Sequence, residues 1–201
     1  MKVSRFLAAG LIMAVTALPA AAEKLSLPAI SQYLNAMKSA TGEFTQINDD
    51  GTISTGQIYI KRPGRVRFEY NPPDRTLVVS DGEHVGIADA KSNQRAEAYP
   101  LRRTPLSIIL ARKVDLGRAR MVVGHTSDGK STTVVAQDPE HPEYGSIELV
   151  FTGSPVELRQ WVINDNAGSR TTVVLGELTK GVQIGNDRFQ LPKGAVIRQD
   201  K

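Results

Sequence analysis

Apolar and polar residues alternate along most of this chain, and that alternation constrains its fold more than any other feature. Ile58 and Ile60 share one side of a predicted strand. After the turn at residues 62–64, Val66 and Phe68 share one side of the next strand, and charged residues occupy the other side. A period of two with one apolar face is typical of antiparallel strands that cover a core on one side only.

The same pattern continues toward the C-terminus. Asp81-Gly82 separates two short apolar runs and predicts a tight hairpin. A sheet of this many strands tends to curl, so the pattern favours a curved antiparallel sheet. Further predicted strands lie near residues 93–98, 118–124, 131–136, 145–151, 157–164 and 170–178.

Two segments have helical features instead. Apolar residues from Leu27 to Met37 recur at helical spacing, and we expect this helix to end at Gly42. Thr104-Pro105 is a suitable cap and first turn for a short apolar helix through Arg112. A curled sheet with helices across its mouth encloses a volume. Sheets of that kind hold ligands more often than they fill solid.

The N-terminus predicts the compartment. Lys2 and Arg5 precede an apolar run from Phe6 to Leu18, and small residues follow at 20–22. This is the pattern of a cleavable secretory signal, and the run is too short to span a bilayer. We therefore expect a signal peptide at residues 1–22 and a single mature domain at residues 23–201 in the periplasm.

Composition argues against most catalytic and nucleic-acid functions. The chain has no cysteine, and its three histidines lack the spacing of a zinc site. No serine hydrolase or nucleotide-binding motif is present. The net charge is +4, of which Lys2 and Arg5 supply two, and the remaining basic residues are scattered. We expect no enzymatic activity, no cofactor, no metal and no nucleic-acid partner.

Arg62 is the most informative single residue. It continues the apolar side of the strand that holds Ile58 and Ile60, and a charge that points inward is unfavourable unless it is hydrogen-bonded. The spacing alone leaves two interpretations open. Arg62 either extends to water from the strand end, or it is a polar latch that holds backbone carbonyls of a covering helix.

Several stretches, taken in order, resemble a known family. They include residues 42–46, the segment Gly56 to Gly64, residues 67–70, the proline pair near Pro72, Val79 to Gly82, residues 104–112, and Phe189 to Gly194. Behind a signal peptide, their order and spacing resemble the LolA family of periplasmic carriers for outer-membrane lipoproteins.

The resemblance implies a fold and a mechanism. It implies a mainly β protein, an open antiparallel barrel of about eleven strands that is covered by short helices forming a lid. It implies an apolar cavity for acyl chains, with Arg62 closing the lid through hydrogen bonds to backbone. The cargo would be acylated lipoproteins, received from an inner-membrane ABC transporter and passed to an outer-membrane receptor where one is present. A soluble shuttle of this kind is expected to be a monomer.

Two further functions stay open: a periplasmic sensor that binds lipid or lipoprotein, and a carrier of another lipid. For each residue expected to line the cavity, the alternative is an ordinary place in the core. The candidates are Leu34, Met37, Ile58, Ile60, Val66, Phe68, Leu106, Ile109 and Leu110.

Overall fold

A computed structural model describes residues 23–118 and 120–198 of the chain. The predicted signal peptide at residues 1–22 lies outside these residues, so its assignment stays a prediction. Within the described ranges, every helix is too short or too polar to cross a membrane.

The described residues contain two α-helices. Helix α1 is Leu27–Ala36, and the hydroxyl of Ser26 caps it by accepting a hydrogen bond from the Ala29 backbone N–H at 3.3 Å. Helix α2 is Leu106–Leu110. Short 3₁₀ helices occur at Leu101–Arg103, Pro142–Tyr144 and Asn186–Phe189.

The described residues form thirteen strands in one sheet, of which eleven have four residues or more. The predicted mainly β fold of about eleven strands is thereby confirmed. The strands are β1 Ser39–Ile47, β2 Ile53–Lys61, β3 Arg65–Tyr70, β4 Thr76–Asp81, β5 His84–Asp89, β6 Glu97–Pro100, β7 Val122–Ser127, β8 Ser131–Gln137, β9 Ser146–Thr152, β10 Glu157–Asn164, β11 Arg170–Leu175, β12 Thr179–Lys180 and β13 Val196–Ile197.

The sheet is open. Its order is β13-β6-β5-β4-β3-β2-β1-β11-β10-β9-β8-β7, with β12 paired to β1. Neighbours are antiparallel, apart from β13, which adds parallel to β6. The two end strands, β13 and β7, are not paired with each other, so the sheet does not close into a barrel.

Contacts between distant strands show that the sheet is strongly curved. Strand β10 is four positions from β3 in the sheet, a distance of about 19 Å in a flat sheet. Yet the rings of Phe68 on β3 and Trp161 on β10 have centroids 6.1 Å apart in an edge-to-face contact. The two halves of the sheet therefore bend toward each other, and helices α1 and α2 pack on the concave side.

The predicted end of helix α1 is wrong. The helix ends at Ala36, and Gly42 lies inside strand β1. A Cβ atom at Gly42 would lie 2.6 Å from the Glu177 carbonyl oxygen. The glycine therefore permits close approach of a neighbouring chain segment, a tertiary requirement that resembles a helix stop in the sequence.

Smaller differences concern helix α2 and two strands. Helix α2 covers only residues 106–110, and Thr104 donates its hydroxyl to the Leu101 carbonyl instead of capping it. Strands β6 and β7 each begin four residues later than predicted. Alternation identifies a strand but does not mark where its pairing begins.

The C-terminal segment covers the convex side of β2 to β4. Lys61 donates to the Ile184 carbonyl at 2.6 Å, and Arg67 donates to the Arg188 carbonyl at 3.0 Å. Phe189 is 1% exposed and lies outside the main apolar cluster of the concave side. The segment therefore forms a second, smaller core on the back of the sheet.

Truncation of Phe189 tests this second core. Phe189→Ala should lower the free energy of unfolding by about 3 kcal/mol, because it removes a fully buried ring and leaves a cavity. Urea denaturation measures the loss. The control is Ile53→Ala, at a side chain that is 65% exposed, with an expected change below about 0.5 kcal/mol. Equal effects of the two substitutions would show that the segment adds nothing to stability.

Candidate functional site

Arg62 links the sheet to the helices on its concave side. It follows the last residue of β2 and is 8% exposed. Its backbone N–H donates to the Lys38 carbonyl at 2.8 Å, just beyond α1. Its Nη2 donates to the Ala111 carbonyl, at the end of α2, at 2.5 Å, and to Asn35 Oδ1 of α1 at 3.4 Å. One side chain thus contacts both covering helices.

The Arg62 guanidinium is incompletely satisfied. Its Nε and Nη1 atoms are buried and have no hydrogen-bond partner among the described residues. Burial lowers the pKa of Arg62, and no carboxylate in the described ranges is paired with it. A buried donor without a partner costs about 1–3 kcal/mol. In the closed arrangement, hydrogen bonds therefore compensate only part of the cost of burying the Arg62 charge.

Two polar side chains of α1 hold the chain that follows α2. Asn35 donates from Nδ2 to the Val114 carbonyl at 2.7 Å and accepts from the Val114 N–H at 2.9 Å. The hydroxyl of Ser31 accepts from the Leu116 N–H at 2.9 Å. We call residues 104–116 the lid segment. The helix α1 and the lid segment are joined by these bonds.

The turn after Arg62 contacts the lid segment directly. The Gly64 N–H donates to the Leu110 carbonyl at 2.8 Å, and the Gly64 carbonyl accepts from the Ser80 hydroxyl at 2.8 Å. Gly64 has a φ of +77°, and a Cβ atom there would lie 2.7 Å from the Cα of Gly82. Both the conformation and the space require glycine at this position.

The predicted cavity residues all lie together on the concave side. They belong to one continuous apolar cluster shared by the sheet, α1 and the lid segment. The structure thus brings the predicted set into one place. Their exposed fractions are Leu34 0%, Met37 5%, Ile58 0%, Ile60 2%, Val66 1%, Phe68 5%, Leu106 8%, Ile109 6% and Leu110 3%.

In this arrangement the interior is filled by the protein's own side chains. A cleft of about 950 Å³ lies outside the cluster, and Leu110 is the single cavity candidate among its lining residues. In this arrangement the predicted lining residues are ordinary core, and their role as an acyl-chain lining stays a prediction.

Sequence reasoning missed part of this interior. Phe44 and Phe151 are buried in the same cluster, as is Trp161. Phe44 contacts Phe68 edge-to-face, with ring centroids 5.3 Å apart. The period of two in the later strands could have identified the residues of β8 to β10. Ser31 and Asn35 were missed because polar residues on a helix have no pattern that predicts a backbone partner about 80 positions away.

The three histidines have different surroundings and do not form one site. His125 contacts the Leu25 carbonyl at 2.9 Å, and His141 pairs with Glu143 at 2.9 Å on the surface. His84 lines the outer cleft. Across residues 23–118 and 120–198, no three potential ligands are grouped so that they could hold a metal ion.

The fold and the site define a class: open, curved antiparallel sheets whose apolar concave face is closed by a helical lid. A model of the family described as outer membrane lipoprotein carrier protein LolA matches residues 35–192, and the chain belongs to this family. The resemblance seen in the sequence is thereby confirmed.

Curated relatives match over nearly the full chain. An outer-membrane lipoprotein carrier protein of Alkalilimnicola ehrlichii is 30% identical over an alignment that covers 93% of this chain and 90% of the relative's length. One from Cupriavidus pinatubonensis is 28% identical, covering 90% and 89%. Among solved structures, a LolA superfamily protein from Nitrosomonas europaea has a TM-score of 0.43 and 8% identity, covering 83% of this chain and 98% of its own.

The bonds of Asn35 give a prediction about the lid segment. Asn35→Ala should lower the free energy of unfolding by about 1–2 kcal/mol, because the Val114 backbone groups lose their partner. Amide hydrogen exchange at residues 111–116 should become faster. The matched control is Gln32→Ala at an exposed site on the same helix, which should change neither measurement. Unchanged exchange in Asn35→Ala would contradict a role for Asn35 in holding the lid segment.

Proposed function

We propose that the chain carries acylated lipoproteins through the periplasm, with their acyl chains held in the apolar interior beneath the lid segment. The observation that supports this most directly is Arg62, a buried charge that ties the lid segment to the sheet at the edge of one apolar cluster. Membership of the LolA family supports the same role. In this proposal the chain acts as a chaperone and not as an enzyme.

The energetic requirement for a shield is large. Each buried methylene group contributes about 0.8 kcal/mol, so a sixteen-carbon chain contributes on the order of 12 kcal/mol. A single lipoprotein holds more than one such chain if it is triacylated. Release would be impossibly slow if all of that free energy appeared as affinity.

The lid segment supplies the opposing free energy. In the closed state its side chains Leu106, Ile109 and Leu110 are buried in the apolar cluster, where an acyl chain would lie in this proposal. Entry of an acyl chain must displace them and break the bond from Arg62 to Ala111, so net affinity is the difference between two buried states. The two unpartnered donors of Arg62 keep the closed state from being too stable.

Location and partners follow from this role. The mature chain would be a single domain at residues 23–201, released into the periplasm by removal of residues 1–22. It would receive cargo from an inner-membrane ABC transporter and deliver it to an outer-membrane receptor where one exists. A monomer suits this shuttle, because the same concave side must be available to both partners.

Arg62→Leu tests the latch. It removes the bond to Ala111 and a poorly compensated buried charge, so stability should change by less than about 1.5 kcal/mol. Acyl-chain binding should stay intact or become tighter, while delivery to outer-membrane vesicles falls. Mass spectrometry of protein purified from the periplasm without detergent measures loading, and a transfer assay measures delivery.

Arg65→Leu is the matched control. Arg65 lies three residues along the chain, on the side of strand β3 opposite to the buried Val66 and Phe68. It should load and deliver as the parent protein does. If Arg62→Leu also loads and unloads normally, the latch is wrong. Protein that co-purifies with no lipoprotein, or with free lipid alone, would contradict the carrier role itself.

A further inference from the structure

A cleft lies on the outer side of the lid segment. It has a volume of about 950 Å³ and lies between the turn after β2, the turn between β4 and β5, and the lid segment. Its apolar lining residues include Pro100, Leu101, Leu110 and Ile197. Leu101 and Leu110 belong to the apolar cluster as well, but the proposed carrier mechanism places no ligand in the cleft.

The cleft is basic. Arg102, Arg103 and Arg112 line it, against the single carboxylate of Glu83. Arg102 and Arg112 are exposed and form no ion pair with any described residue. Residues 101–120 contain six basic residues and one acidic residue, whereas residues 23–201 as a whole have a net charge of only +2. The positive charge of the protein is thus concentrated around the lid.

We propose that this cleft binds an acidic, partly apolar polypeptide segment of the membrane-bound partner that exchanges cargo with the carrier. A concave site with both apolar residues and arginines in its lining suits an extended chain, whose acidic side chains pair with Arg102 and Arg112. A bilayer surface is planar, so its headgroups would reach only the rim of the cleft. The proposal rests on the carrier function for the identity of the partner.

Occupation of the cleft acts on the latch. Ala111, whose carbonyl accepts the bond from Arg62, is itself a lining residue of the cleft, as are Gly64 and Leu110, whose backbones are bonded to each other. A segment that seats here contacts the closing bonds from outside. The carrier therefore opens at the partner, and lid opening does not depend on the acyl chain alone.

Binding of a labelled peptide of glutamate and leucine, measured by fluorescence anisotropy on the free protein, tests the site. The double variant Arg102→Glu, Arg112→Glu should weaken this binding by about tenfold or more. Arg95→Glu, Lys130→Glu changes the net charge equally at two exposed positions away from the cleft and should weaken it by less than about twofold.

Three outcomes would overturn the cleft as a peptide site: no binding of the peptide, equal losses in both double variants, or stronger binding to phosphatidylglycerol vesicles that depends on Arg102 and Arg112. The last outcome would assign the arginines to a membrane surface. None of these measurements uses lipoprotein, so they stand or fail separately from the carrier function.

Coupling to the latch has its own readout. If occupation of the cleft favours the open lid, then by linkage a protein without the latch binds the peptide more tightly. Arg62→Leu should therefore raise peptide affinity by about fivefold or more, and Arg65→Leu should not. An unchanged affinity in Arg62→Leu would overturn the coupling, whatever the result for cargo delivery.

Discussion

The position of the lid segment over the sheet depends on a small group of hydrogen bonds, and the bond from the Arg62 guanidinium to the Ala111 carbonyl lies at its centre. This bond joins the edge of β2 to the end of α2, and the weaker contact with Asn35 adds α1 to the same group. The guanidinium is buried without a carboxylate partner among the described residues. Each hydrogen bond that it makes offsets part of the free-energy cost of burial, and each N–H without a partner adds to that cost. The Arg62 bond therefore fixes the position of the closed lid segment but contributes only modestly to the free energy of folding.

That balance suits a protein that must both hold and release apolar cargo. In the proposed mechanism, the side chains that fill the concave face in the closed state would line the ligand site once the lid segment opens. Core and binding site would then be two uses of one surface. A segment bound in the basic cleft, as proposed above, would act on the same bonds from the outer side of the lid.

The sheet makes this arrangement possible because it is curved and open. Curvature brings Phe68 and Trp161 into contact across four strand positions, so a single sheet encloses its own core. On the convex side, the C-terminal segment and Phe189 cover strands that would otherwise expose apolar residues.

The sequence by itself predicted most of the strands and their buried faces, because both follow from a local period of two. The same period placed Arg62 on the apolar side of its strand but left open whether the side chain extends to water or turns inward. The sequence also determined the family, since the order of several short motifs is specific where no single motif is. Only the tertiary structure decided which carbonyl Arg62 meets, because Ala111 is 49 residues away and no local pattern encodes it. The same reason explains Gly42, Ser31 and Asn35: their roles depend on close approach or on backbone partners that only the folded chain brings near.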